Sequence, residues 1–199
     1  MFKIYDRKYY VAITRFNNTT YAENLNYRIK KKYDGCVYGT PCKVKGSIPE
    51  NSVMFVMEMN NSLNQIMGIG VIRNKANRPI KIYKEHRYNT YVYNSPIRKD
   101  FVNNEQMNNF VWARFKKDME LLVFFGRDHA KRGSGIQLLP QKKFLKNHNY
   151  IRRMIVRLFG DCINSFSLIS AKKLTPKIRV LVSKKTNNKY KKIKVIKNE

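Results

Sequence analysis

The sequence predicts an α+β fold: a small curved β-barrel flanked by helices, ending in a basic hairpin or tail. Three observations predict it. Cys36–Asn74 is strand-like, with two apolar runs joined by a short polar turn. Two later stretches, Asn103–Lys117 and about His148–Phe159, carry apolar residues at helical spacing. The hydrophobic fraction of 43% is that of a chain able to bury a core, unlike the apolar-poor composition of disordered chains. A length of 199 residues suits one domain with additions, or two small ones.

Element by element, Phe2–Phe16 is rich in β-branched and aromatic residues and reads as one or two strands. Asn17–Thr20 is a polar break. Tyr21–Tyr33 sets Leu25 and Ile29 four apart with a basic end, which predicts a short helix or an ordered basic loop. Gly39, Pro41, Gly46 and Pro49 are turn formers. Val53–Met59 is an apolar run broken only by Glu58; Asn60–Asn64 is the turn, and Gln65–Arg73 the returning strand. Glycine inside a strand marks a bend, a bulge or the close approach of another backbone, so Gly68 and Gly70 predict curvature. Lys75–Arg98 predicts a further pair of strands.

Asn103–Lys117 reads as a helix with Met107, Phe110, Val111 and Phe115 on one face and Trp112 beside that stripe. Leu121–Phe125 reads as a strand, and Gly126–Pro140 as a Gly-rich basic loop entering a short apolar run. In the helix at His148–Phe159, Ile151, Met154, Ile155, Leu158 and Phe159 face inward and Gly160 is the C-cap. Asp161 then caps a second helix to about Lys172. Lys177–Ile196 alternates apolar and basic residues around Thr186–Asn188, favouring a basic hairpin over a disordered tail. The chain thus divides into an N-terminal segment 1–35, a core 36–172 and a basic end 173–199. No internal repeat is visible.

Charge bounds the function. Lys and Arg number 41 against 13 Asp and Glu, a net +28. Self-repulsion on that scale destabilises a compact fold, and a polyanionic partner is the usual compensation. Nucleic acid is the foremost such partner, because phosphate neutralisation releases condensed counterions. The alternatives are an anionic membrane and a charge that only confers solubility. No segment approaches the roughly 18 apolar residues of a spanning helix, and Met1–Tyr10 does not read as a targeting signal. Heavy use of Asn, Lys, Ile and Tyr resembles translation from an AT-rich genome. Arg127, Arg132, Arg152, Arg153 and Arg157 are less easily explained that way.

Cys36, Cys42 and Cys162 show no C-x-x-C pair and no nearby histidine partner, so neither a structural zinc nor any other cofactor is expected. The odd cysteine count suits a reducing, intracellular setting. In Phe125–Gln137, Arg127, Lys131 and Arg132 bracket Gly133 and Gly135, an arrangement suited to phosphate contact or to a plain surface turn. It matches neither a Walker A loop nor a dinucleotide fingerprint. Tyr83–Arg98 interleaves tyrosines with basic residues, as a platform for unpaired bases does, and equally as a half-buried strand pair does. Trp112 is a core anchor or one wall of a base pocket.

Catalysis finds little support. Asp128 and His129 are adjacent, with no nucleophile pattern near them. Glu58 lies on a strand's solvent face or holds a cation inside a pocket. Two-metal chemistry needs several convergent carboxylates, and the 13 acids are scattered.

Two stretches carry a family resemblance. Met54–Asn74 (MFVMEMNNSLNQIMGIGVIRN) resembles the strand–turn–strand of the PUA-like superfamily, YTH and EVE domains especially. Gly126–Pro140 (GRDHAKRGSGIQLLP) is similar to the late Gly-rich basic segment of those domains. More loosely, the whole chain resembles basic proteins encoded by giant nucleocytoplasmic DNA viruses. The resemblance implies a curved barrel whose pocket takes a flipped or modified base, with Asn60 or Asn61 at its mouth. Arg127, Lys131 and Arg132 would hold backbone phosphates. YTH readers cage a methylated adenine with tryptophans; this chain has only Trp112, so a cage would use tyrosine or phenylalanine.

The candidate nucleic-acid contacts are therefore Asn60, Asn61, Arg73, Trp112, Arg127, Lys131, Arg132, Arg152 and Arg153. The expected function is nucleic-acid binding, RNA before DNA, without catalysis. The rival is a virion structural protein that condenses the genome or cements the capsid with other virion proteins. The expected location is the host cytoplasm or a viral factory.

Overall fold

A computed structural model describes residues 9–102 and 109–171 and shows an α+β architecture. β1 (Tyr9–Phe16), β3 (Val53–Asn60) and β4 (Gln65–Arg73) are nearly continuous apolar runs, and such runs suit strands buried on both faces. They form the centre of a five-stranded sheet. β1 runs parallel to β3, from Tyr9 opposite Val53 to Phe16 opposite Asn60. β3 returns antiparallel as β4 through the expected turn. Short strands flank them: β6 (Arg98–Asp100) beside β4, and β7 (Gln137–Leu138) beside β1. β2 (Cys36–Thr40) and β5 (Tyr91–Ser95) make a separate antiparallel pair. Only Pro96 and Ile97 separate β5 from β6, and the Val71 N–H of β4 donates to the Ile97 carbonyl (3.0 Å). The pair therefore meets the large sheet at a corner, over a core that includes Ala12, Met54, Val56, Ile72, Val37 and Val92.

The strands do not close into the expected barrel. Among the described residues no ladder joins β7 or β1 to β2. β7 is two residues long, and the approach to it holds Gly133 and Gly135 at φ of 107° and 69°, conformations that cannot extend a ladder.

α1 (Asn18–Lys30) begins inside the expected polar break. Asn17 Oδ1 accepts from the Thr20 N–H (2.8 Å) while Thr20 Oγ1 accepts from the Asn17 N–H (3.0 Å), a reciprocal capping box. Lys75–Tyr88 is not the expected strand. Asn89 Oδ1 takes the N–H groups of Ile82 and Tyr83 (2.8 and 2.9 Å), which a ladder would have used, and the chain turns through a 3-10 segment at His86–Asn89.

α2 (Phe110–Phe124) absorbs the predicted strand Leu121–Phe125 up to Phe124, with Phe125 as its extended C-cap. Phe115, Met119 and Val123 are buried at a spacing of four, Leu121 faces outward, and no helix-stopping residue lies between Lys117 and Leu121. α3 (Gln141–Ala171) starts earlier than expected and runs straight through Gly160, so neither Gly160 nor Asp161 is a cap. A helix-interior glycine costs only about 1 kcal/mol relative to alanine. The boundary between two compact units, residues 1–154 and 155–199, falls within α3. Met107 and the predicted hairpin Lys177–Ile196 lie outside the described residues.

A buried ionic cluster ties the corner together. Arg98 of β6 grips Glu58 of β3 through Nε (2.9 Å to Oε1) and Nη2 (2.7 Å to Oε2), and Asp100 through Nη1 (2.6 Å). Tyr38 of β2 donates its hydroxyl to Glu58 Oε1 (2.8 Å). Glu58 thus holds a cation, but an internal one. Burial works to lower the Arg98 pKa; Glu58 and Asp100 outweigh it and hold that pKa above the ordinary arginine value. The paired glycines of β4 now have a physical reason. A Cβ at Gly70 would collide with the Tyr38 hydroxyl and lie 2.6 Å from Cys36, and one at Gly68 would lie 2.8 Å from the Arg98 guanidinium.

Candidate functional site

At the C-terminal end of β1 several segments enclose a cavity of about 200 Å³. An engineered cavity of about 150 Å³ holds benzene, so this one suits a single planar heteroaromatic group. β1 contributes Thr14, Arg15 and Phe16, and the start of α1 adds Asn17 and Thr20. Asn61 comes from the β3–β4 turn and Gly39 from β2. Tyr83 and Tyr88 come from the segment before β5, and Gly133, Ser134 and Gly135 from the late loop.

Two side chains there are anchored yet incompletely satisfied. Arg15 donates from Nε to the Ala130 carbonyl (2.6 Å) and from Nη2 to Gln137 Oε1 (3.1 Å); its Nη1 is buried without a partner. Asn61 donates from Nδ2 to the Lys131 carbonyl (3.0 Å), and its backbone N–H to the Phe16 carbonyl (2.7 Å); its Oδ1 is buried without a partner. Consecutive carbonyls of one loop, those of Ala130 and Lys131, thus anchor the two side chains. One donor and one acceptor are left over. A buried unsatisfied polar group costs about 1–3 kcal/mol, so such a pair calls for an explanation, and a ligand supplies one. Among the described residues Arg15 is the one charged residue lining the cavity, and burial lowers its pKa from the ordinary arginine value.

The aromatic wall is also built in advance. Tyr83 is buried, its hydroxyl accepts from Asn24 Nδ2 (3.0 Å), and burial pushes its pKa up to about 12. Tyr88 meets it edge to face at 6.2 Å and carries the Arg87 guanidinium over its ring at 5.2 Å. Asn89 fixes this segment, donating to the Tyr83 carbonyl (2.8 Å). A Cβ at Gly39 would collide with the Tyr88 carbonyl, so glycine there lets the tyrosine segment close against β2.

Of the sequence-predicted contacts, Asn61 lines the cavity and Arg132 is exposed beside Gly133. Arg127 is exposed in the same loop. Lys131 is spent on structure: its Nζ donates to Asn64 Oδ1 (2.8 Å) and staples the loop to the β3–β4 turn. Asn60 is buried, donating to Asn18 Oδ1 and accepting from the Ser62 N–H. Arg73 sits at the other end of the hairpin, about 26 Å along β4, and donates to the Asn51 carbonyl. Trp112 packs edge-on against Phe115 in α2. Arg152 lies 5.1 Å over the ring of Tyr9, about 20 Å along β1 from Arg15. Arg153 is exposed on α3.

Asp128 and His129, adjacent in sequence, do not pair: Asp128 is exposed, and His129 Nδ1 accepts from the Lys131 N–H (3.3 Å). Sequence reasoning missed Arg15, Asn17 and Gly39. The available signal was one arginine at the end of a buried strand, directly before a helix-capping asparagine.

Two wider hollows, one including Lys43, Lys75 and Tyr91 and one between α2 and the start of α3, are lined by no residue with a buried unpartnered side-chain atom. Among the described residues no helix is long and apolar enough to cross a membrane, and no group of three His, Cys, Asp or Glu could hold a metal. No protein-family model matches the chain, and no curated protein or solved structure matches it either.

Proposed function

We propose that this chain binds nucleic acid, RNA before DNA, and takes one unpaired base into the cavity at the end of β1. One observation carries the reading: Arg15 and Asn61 both line a cavity walled by two tyrosines, and each keeps one buried polar atom, Nη1 and Oδ1, without a partner. Unpaired bases are read in this manner, by stacking on aromatic rings and by hydrogen bonds to the base edge. The net charge of +28 supplies the attraction, and Arg127 and Arg132 are free at the surface to meet phosphates.

The PUA-like resemblance is consistent with a base pocket; the barrel of that family would here be open between β7 and β2. If a modified base is bound, Tyr83 and Tyr88 take the place of caging tryptophans. The role is binding, not catalysis, since Glu58 is consumed by Arg98.

Equilibrium binding to matched single-stranded RNA, single-stranded DNA and duplex DNA across a salt series tests this. The expected result is an RNA preference that survives at moderate salt. Arg127→Ala with Arg132→Ala should lower affinity and flatten the salt slope by about 0.7 for each phosphate no longer neutralised. An unchanged affinity would remove the loop from the interface. Equal binding to all three forms that vanishes with salt would overturn the base reading in favour of genome packaging.

A further inference from the structure

We propose that the cavity selects an oxo base, guanine or uracil, over adenine and cytosine; this rests on the cavity's being a base site. Every base can offer a donor beside an acceptor, so hydrogen-bond parity alone admits all four. Three features of the site narrow the choice.

The first is charge. The Arg15 guanidinium is cationic and meets no carboxylate among the cavity-lining residues. A carbonyl oxygen compensates it well through a charge-assisted N–H···O bond. Guanine O6 and uracil O4 are such oxygens, whereas adenine and cytosine would set a ring nitrogen beside their amino group. The second is the amide. Asparagine reads adenine with both ends of its side chain, but Asn61 Nδ2 is already held by the Lys131 carbonyl. Only Oδ1 remains, and it can accept the ring N–H that stands next to the carbonyl in guanine and uracil. The third is the lack of an acid: cytosine's amino group is typically read by Asp or Glu, and among the described residues none lines the cavity. Both atoms are shielded from the empty cavity, so the two side chains must turn them toward the base; carbonyl on Nη1 with ring N–H on Oδ1 then leaves no orphan. A base made cationic by ring methylation would be repelled by Arg15.

The test is competition binding by the full chain for short RNAs that differ at one central base set between abasic positions. Guanine, uracil and hypoxanthine should bind roughly tenfold or more tighter than adenine or cytosine. N3-methyluracil, in which a methyl group replaces the ring N–H hydrogen, should fall to the cytosine level. A preference for adenine or cytosine, or full tolerance of N3-methyluracil, overturns the proposal without any variant having to fold. If Arg15→Lys still weakens binding in that case, the base site stands and only its choice of base is wrong. If no base differs and Arg15→Lys has no effect, the base site falls as well. Free guanosine or uridine binding as tightly as the RNAs would keep the oxo preference but replace the strand with a mononucleoside ligand.

Discussion

Replacing Arg15 with lysine separates the guanidinium fork from its charge. The structure accounts for each nitrogen of the native group: Nε and Nη2 are bound to Ala130 and Gln137, and Nη1 alone is buried without a partner. A lysine ammonium can follow the same stem toward the Ala130 carbonyl, but it has no second arm to present to a base. A hydrogen bond from a charged donor contributes about 1.5–3 kcal/mol. Affinity for single-stranded RNA should therefore fall on the order of 10–150-fold, at about 1.4 kcal/mol per tenfold. The slope of log affinity against log salt should stay the same, because the count of charges facing phosphate has not changed. Fluorescence anisotropy at several salt concentrations reads both quantities. Urea denaturation shows whether the fold tolerates loss of the Gln137 bond, a cost of about 1 kcal/mol. An affinity within twofold of the native value, with the fold intact, would refute a ligand contact at Nη1.

Glu58→Gln leaves Arg98 buried with Asp100 as its remaining anion, and breaking a buried pair costs about 3–5 kcal/mol. Its urea midpoint should drop far more than that of Asp118→Asn, which disrupts the more exposed Arg114–Asp118 pair. A loss below about 1 kcal/mol would mean that water reaches the cluster. Gly70→Ala forces a Cβ onto the Tyr38 hydroxyl and should cost about 1–3 kcal/mol by overpacking. Adding Tyr38→Phe relieves the nearest of the contacts and leaves those with Cys36, so a double-mutant cycle should show partial favourable coupling; strict additivity would contradict the clash with the hydroxyl. Stability should also fall in alkali. Burial pushes Tyr83 and Cys36 up to about 12 and raises Tyr38, so the fold prefers their neutral forms. The unfolded chain loses those protons from about pH 9–10, and above that it binds fewer protons than the fold. Stability is then complete below about pH 9 and declines toward pH 12, by up to about 1.4 kcal/mol per pH unit for each group. A flat stability profile to about pH 11 would contradict the burial of these groups.

The hairpin of β3 and β4 was legible to within one residue, Asn60 ending β3 rather than opening the turn, because an apolar run, a polar turn and a second apolar run allow few alternatives. Leu121–Phe125 was not. Five apolar residues fit a strand or the last turn of a buried helix equally well, and only the stripe from Phe115 through Met119 decides. The glycine loop and the tyrosines of the cavity were visible as types. Arg15 was invisible, since it is one basic residue among 41. What distinguishes it is a partnership with residues 115 and 122 positions away, which local pattern does not encode. Arg73 and Arg152 show the converse: basic character is easy to read, but it does not say at which end of a strand a side chain will stand.

The packing of Gly70 against Tyr38, and of Tyr38 and Arg98 around Glu58, has an evolutionary consequence. None of the four can drift alone: a larger residue at 70 needs a shorter one at 38, and a neutral residue at 58 strands the guanidinium at 98. Divergent descendants should therefore keep the four together or exchange them together. That linked quartet, spread across four strands, would betray kinship after the intervening sequence has ceased to align.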